Sequence, residues 1–180
     1  MQSDWVAQIV GYWFEELKPD AWFRNDERVD AAIRERFGVL YEELAQTRPE
    51  QLATPLECAA AVIVLDQFPR NMFRGTPRAF ATDTLALAIS QCAIAAGFDA
   101  QLTRQQRLFL YMPFQHSEDR AVQARSIELF TQLGELDNLD YARRHKEIID
   151  RFGRFPHRNE VLGRTSTPEE LQFVATHRGF

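Results

Sequence analysis

Two stretches of the chain set basic and amide side chains beside a Phe-Pro step. "LDQFPRNMFR", residues 65 to 74, carries Asp66, Arg70, Asn71 and Arg74. "RFGRFPHRN", residues 151 to 159, carries Arg154, His157, Arg158 and Asn159. A guanidinium group grips a carboxylate or phosphate with two parallel hydrogen bonds. A histidine can move a proton near neutral pH. A third stretch, "PFQHSED" at residues 113 to 119, adds His116. These residue types fit a small anionic ligand held by Arg70, Arg74, Arg154 and Arg158. Asn71 and Asn159 would orient it, and His116 or His157 would serve as general acid or base. Asp66 stands four residues before Arg70 and can pair with it along a helix face. A shared cleft requires the turns after the third and seventh helices to meet. The competing expectation is structural: the acidic groups neutralise the arginines and no cleft forms.

Other chemistry finds no support in the residues. There is no HExxH helix, no phosphate-binding glycine loop, no GxGxxG and no GxSxG. His116, His145 and His157 match no metal-ligand spacing, so no metal is expected, and no motif names a cofactor. His145 follows Arg143 and Arg144, which reads as a half-exposed position. Cys58 and Cys92 sit in apolar helical patterns and read as buried small hydrophobes. Two Cys suggest no disulfide framework and fit a reducing compartment.

The elements that must position these groups are helices. Ser3 can cap a first helix to about Leu17, striped by Ile9, Val10, Trp13, Phe14 and Leu17. A second starts near Asn25 or Asp26 and carries Val29, Ile33, Phe37, Leu40, Tyr41 and Leu44. Thr54, Pro55 and Glu57 form a capping box before an almost wholly apolar helix that Pro69 should end. Thr76 should open a helix to about Ala96, with Gly97 as its stop. Thr103 should cap a short helix to Tyr111, halted near Pro113. Ser117 and Asp137 should cap two more, and Thr167 with Glu170 a last short one. Long alternating strands are missing. The fold class is therefore all-α, with about eight helices in an antiparallel array. No tetratricopeptide consensus shows at a period of about 34 residues.

Composition sets the outer bounds. The 180 residues suit one domain, residues 1–180, with 45% hydrophobic and 26% charged residues. A formal net charge of −5 and a pI near 5.4 argue against nucleic acid as a partner. All but Lys18 and Lys146 of the 21 basic residues are Arg, which favours planar, two-pronged contacts. No segment reaches the ~20 apolar residues of a membrane span, and the N-terminus has no basic leader. A soluble cytoplasmic protein is expected, with no membrane partner.

"LDQFPRNMFRGTPRAFATD", "YMPFQHSED" and "RFGRFPHRNEVLGRTSTPEE" resemble the bacterial domain of unknown function 924 family. "YWFEEL" and "WFRNDERVDAAIRERF" fit it too, so the resemblance covers nearly the whole chain. It implies an all-α fold of the tetratricopeptide-like kind. It implies no activity, substrate, cofactor or catalytic residue. A helical fold of that kind also suggests an alternative function, a scaffold that binds a protein or peptide.

Overall fold

Helix starts in this chain are decided by side chains that reach backbone amides. In the computed structural model, which describes residues 4–17 and 19–177, no strand occurs among the described residues. The expected cap at Ser3 lies outside the described residues. Helix α1, Asp4–Val10, runs into a π turn at Gly11–Glu16. Asp26 caps α2, Glu27–Leu44, by accepting from the Arg28 amide. Thr54 and Glu57 form the expected capping box on α3, Pro55–Val62. The same box recurs at Thr167 and Glu170 on α9, Pro168–Thr176.

Pro69 does not end the third helix. Beyond α3 the chain widens into a π turn, Ile63–Gln67, and resumes as α4, Phe68–Met72, with Pro69 inside. A proline has no amide hydrogen for the carbonyl four residues back. Here that carbonyl belongs to Leu65, and the Thr82 hydroxyl donates to it at 2.5 Å. The vacancy left by Pro69 is thus filled from another element, and the helix continues.

Thr82 explains a second departure. The helix expected from Thr76 is instead a short 3-10 turn, Pro77–Phe80, followed by α5, Asp83–Ala95. The break places Thr82 against Leu65 and Asp83 against Arg70. Helix α6, Arg104–His116, is longer than expected and contains Pro113. Residues 108–115 are all buried, and a buried backbone must bond within itself. That requirement outweighs the ~3 kcal/mol that an interior proline costs a helix.

Chain contacts divide the protein into two compact units. The first holds residues 1–74 and 78–113; the second holds 75–77 and 114–180. In the first unit α2 packs on α4, α3 on α5 and α1 on α3. Tyr12, Trp13, Phe37, Phe68 and Phe109 form its aromatic centre, with Phe37 and Phe68 rings stacked at 5.2 Å. Ring pairs of this kind add about 0.5–1.5 kcal/mol beyond area burial.

In the second unit, α7, Arg120–Leu133, packs on α8, Leu136–Phe152. Asp119, not Ser117, caps α7, accepting from the Ala121 and Val122 amides at 2.8 and 3.0 Å. A carboxylate is the stronger acceptor at the positive end of a helix. Glu135, not Asp137, stands at the N-cap of α8. Gly134 and Gly153, at φ +80 and +70, end α7 and α8 in the left-handed region that glycine tolerates best. No helix among the described residues is long and apolar enough to cross a membrane.

Candidate functional site

The Phe68-Pro69 corner belongs to the first unit. The π turn buries Asp66 completely, at the foot of α4. Arg70 Nη1 lies 3.6 Å from the Asp66 carboxylate. Arg70 also grips Asp83 with two bonds of 2.9 and 3.0 Å. Burial works against the Arg70 charge, but Asp66 and Asp83 outweigh it and hold the guanidinium above its ordinary pKa. Asn71 donates to Asp30 at 2.7 Å, and Arg74 meets both oxygens of Asp30 at 2.9 and 3.0 Å. Arg74 reaches Asn25 as well.

Asp30 and Asp83 were not anticipated from the sequence. The signal for Asp30 was present: it shares the buried stripe of α2 with Ile33, Phe37, Tyr41 and Leu44. A carboxylate in an apolar stripe calls for a partner.

The Phe155-Pro156 corner belongs to the second unit. Gly153 stops the helix here, and Pro156 opens a 3-10 turn, Pro156–Arg158. The two Phe-Pro steps therefore do opposite work, one inside a helix and one beyond it. Arg154 holds Glu170 with bonds of 2.6 and 2.8 Å, and Glu170 also accepts from the Thr167 amide. The Arg154 bond, with smaller help from that amide, takes the Glu170 carboxyl down to about 2. Asn159 donates to Ser166 and accepts from Arg164. Glu118 accepts from the Phe155 amide and from Arg164 at 2.8 and 2.7 Å. Burial alone would raise the Glu118 carboxyl; the Arg164 and Phe155 bonds overcome this and hold it below its usual range.

Around Phe155 the unit gathers three imidazoles and a guanidinium. Arg158 is buried, lies 4.5 Å over the Phe155 ring and donates to the His116 carbonyl at 3.1 Å. His145 packs edge-on to Phe155 at 5.7 Å and lies 6.2 Å from the His116 ring. The His157 ring is 5.6 Å from Phe155. Gln123, with no exposed surface, donates at 2.7 Å to the carbonyls of Gln115 and Ser117. The three carbonyls around His116 are thus each held by a side chain.

His145 is not half exposed but buried, because it continues the inward face of Leu139, Ala142, Ile148 and Ile149 on α8. Its Nδ1 faces the Tyr141 carbonyl at 2.8 Å. A carbonyl only accepts, so Nδ1 carries the proton and Nε2 is an acceptor. Burial, then the electrostatic influence of the neighbouring His116, pushes this imidazole down to about 3.

The sequence-predicted residues thus fall into two groups. Asp66, Arg70, Asn71 and Arg74 gather in the first unit on Asp30 and Asp83. His116, His157 and Arg158 gather in the second around Phe155, while Arg154 and Asn159 tie down the segment leading into α9. Among the described residues, no three His, Cys, Asp or Glu side chains converge as a metal ligand set.

Comparison with known proteins gives a family and no activity. The chain is similar to a protein of unknown function from Agrobacterium tumefaciens whose structure is solved. The two share 40% identity over 96% of this chain and 97% of that one, with a TM-score of 0.90. No curated protein matches. Residues 9–178 match the family described as "Bacterial protein of unknown function (DUF924)". The chain belongs to that family.

Proposed function

We propose that the second unit binds a small anionic ligand through Arg158, with His116 and His157 as its proton-carrying partners. The observation behind this is the convergence of three imidazoles and one guanidinium on Phe155. A guanidinium beside imidazoles is a set of side chains that can hold a carboxylate or phosphate. Under this proposal Asp66, Arg70, Asn71 and Arg74 are structural, since Arg70 and Arg74 already share carboxylates. Arg154 and Asn159 then shape the site's wall. The protein acts in the bacterial cytoplasm, where Cys58 and Cys92 stay reduced.

A thermal-shift screen of phosphorylated and carboxylated metabolites tests the proposal, run on wild type, Arg158→Ala and His157→Ala. A ligand at a hundredfold its dissociation constant raises the wild-type midpoint by about 5 °C. The shift should vanish in both variants. A shift retained in both, or no metabolite that stabilises wild type, sinks the anion site.

The alternative is a tetratricopeptide-like scaffold for a protein or peptide, with structural corners. The carboxylate pairing of Arg70, Arg74 and Arg154 favours it. It predicts a failed metabolite screen together with a large stability loss in Arg154→Ala.

A further inference from the structure

Independently of the anion site, we infer that the outer groove between α7 and α8 docks a second copy of this chain, about a twofold axis level with His145. The groove has a volume of about 350 Å3. Ala124 and Ile127 from α7 give it an apolar floor. Arg143, Lys146, Glu147 and Asp150 from α8 give it a charged rim. At one end Arg120 donates to the Asp150 carbonyl at 3.2 Å.

The charges on α8 select the occupant. Between Asp140 and Asp150 the acidic Asp140, Glu147 and Asp150 balance the basic Arg143, Arg144 and Lys146. The stretch is neutral in a chain of net charge −5, so it does not repel a copy of itself. Arg144 pairs with Asp140 at 2.6 Å, and Lys146 with Asp150 at 2.5 Å. These two pairs stand at mirrored positions before and after His145. Arg143 and Glu147 are mirrored about it as well. Both are exposed, and among the described residues neither side chain has a hydrogen bond or ion pair.

Arg143 and Glu147 are four residues apart, so they share one stripe of α8, about 6 Å apart along the axis. A twofold axis between them runs the second α8 antiparallel to the first. Arg143 then meets the partner's Glu147, and Glu147 meets the partner's Arg143. One patch serves both copies, as a twofold interface requires. A purely acidic or purely basic partner would leave one of the two charges unmatched. The long stems of Arg143 and Lys146 can cover the apolar floor while their heads stay at the rim. Leu136, 82% exposed, stands two turns before Arg143 on the same stripe and adds apolar surface to the seam.

Sedimentation equilibrium of the full chain at low salt tests the proposal. Wild type should be a reversible monomer–dimer mixture with a dissociation constant on the order of 10 μM, in keeping with a small transient interface. Glu147→Arg sets like charges opposite each other at two symmetry-related places. It should raise the constant at least about tenfold, and so should Arg143→Glu. The double exchange, Arg143→Glu with Glu147→Arg, restores opposite charges. It should return the constant to within about threefold of wild type. Circular dichroism should show unchanged helix in all three variants, since both side chains are exposed.

A wild type that stays monomeric at about 500 μM overturns the proposal and gives the groove to some other occupant. A dimer that both single exchanges leave intact also overturns it, because that dimer uses another face. Single exchanges that weaken the dimer without rescue by the double exchange overturn the twofold pairing of Arg143 with Glu147.

Discussion

Cys58 and Cys92 differ in what water and reagents can reach. Cys58 is buried on α3 near the Leu52 carbonyl, and burial chiefly pushes its thiol up to about 11. Cys92 is exposed on α5. Only the thiolate attacks a disulfide reagent. An aromatic disulfide reagent should therefore titrate one thiol quickly in the folded protein. Cys92→Ser should remove that signal, and the second thiol should appear only with denaturant. Two fast thiols in the native protein would contradict the burial of Cys58. The apolar pattern around Cys92 did not reveal its exposure, because α5 is built of small apolar residues. Its inward positions are Ala86, Ile89, Ser90 and Ala93, and Cys92 falls between them. His145 is the opposite case. Its neighbours Arg143 and Arg144 suggested solvent, while its spacing from Leu139 and Ala142 already placed it inward.

At the scale of the element, starts were more legible than ends. The caps at Asp26, Thr54, Thr103 and Thr167 depend on side chains within a few residues, so local sequence carries them. Whether a helix survives a proline depends on a donor from elsewhere. For Pro69 that donor is Thr82, in another element, which no local pattern reveals. Thr82→Val keeps the shape and removes the hydroxyl. It should destabilise the first unit by about 1–3 kcal/mol, the cost of stranding a buried carbonyl. In a Pro69→Ala background the new amide can reach Leu65, so the same substitution should cost less. Equal losses in both backgrounds, measured by denaturant unfolding, would separate Thr82 from the proline. The polar corners were legible as residue types, and Asp30 showed in the periodic stripe of α2, but the partners Asp83, Glu118 and Arg164 were not legible, because pairing across elements has no sequence period.

At the scale of the molecule, the boundary between the two units falls inside α6, between Pro113 and Phe114. No linker composition marks it, which is why the sequence read as one stretch. The units carry different reporters. Trp5, Trp13 and Trp22 all lie in the first, and the four histidines all lie in the second. The second also holds an acid-sensitive pair, Arg154 with Glu170. Glu170 has a folded pKa of about 2, below its unfolded value. Its contribution is therefore complete above a pH of about 4.5 and fades as pH falls toward the folded value. Glu170→Gln should lower the second unit's melting midpoint near neutrality, followed by its amide signals. That difference should shrink steadily as pH drops through the carboxylate range. A difference that stays constant down to pH ~2 would show that the charge of Glu170 does not matter there.

The π turn at Ile63–Gln67 has a consequence for how this corner tolerates changes in chain length. A π turn accommodates one residue more than a plain α-helix between the same two faces. Removing one residue from within it restores ordinary helix and leaves Arg70 and Asn71 pointing much as they do now. Removing one residue from α3 swings everything after it by about 100°. That rotation would turn Arg70 from Asp83 and Asn71 from Asp30. Within this helical run, a deletion is compatible with the corner's geometry only at the π turn.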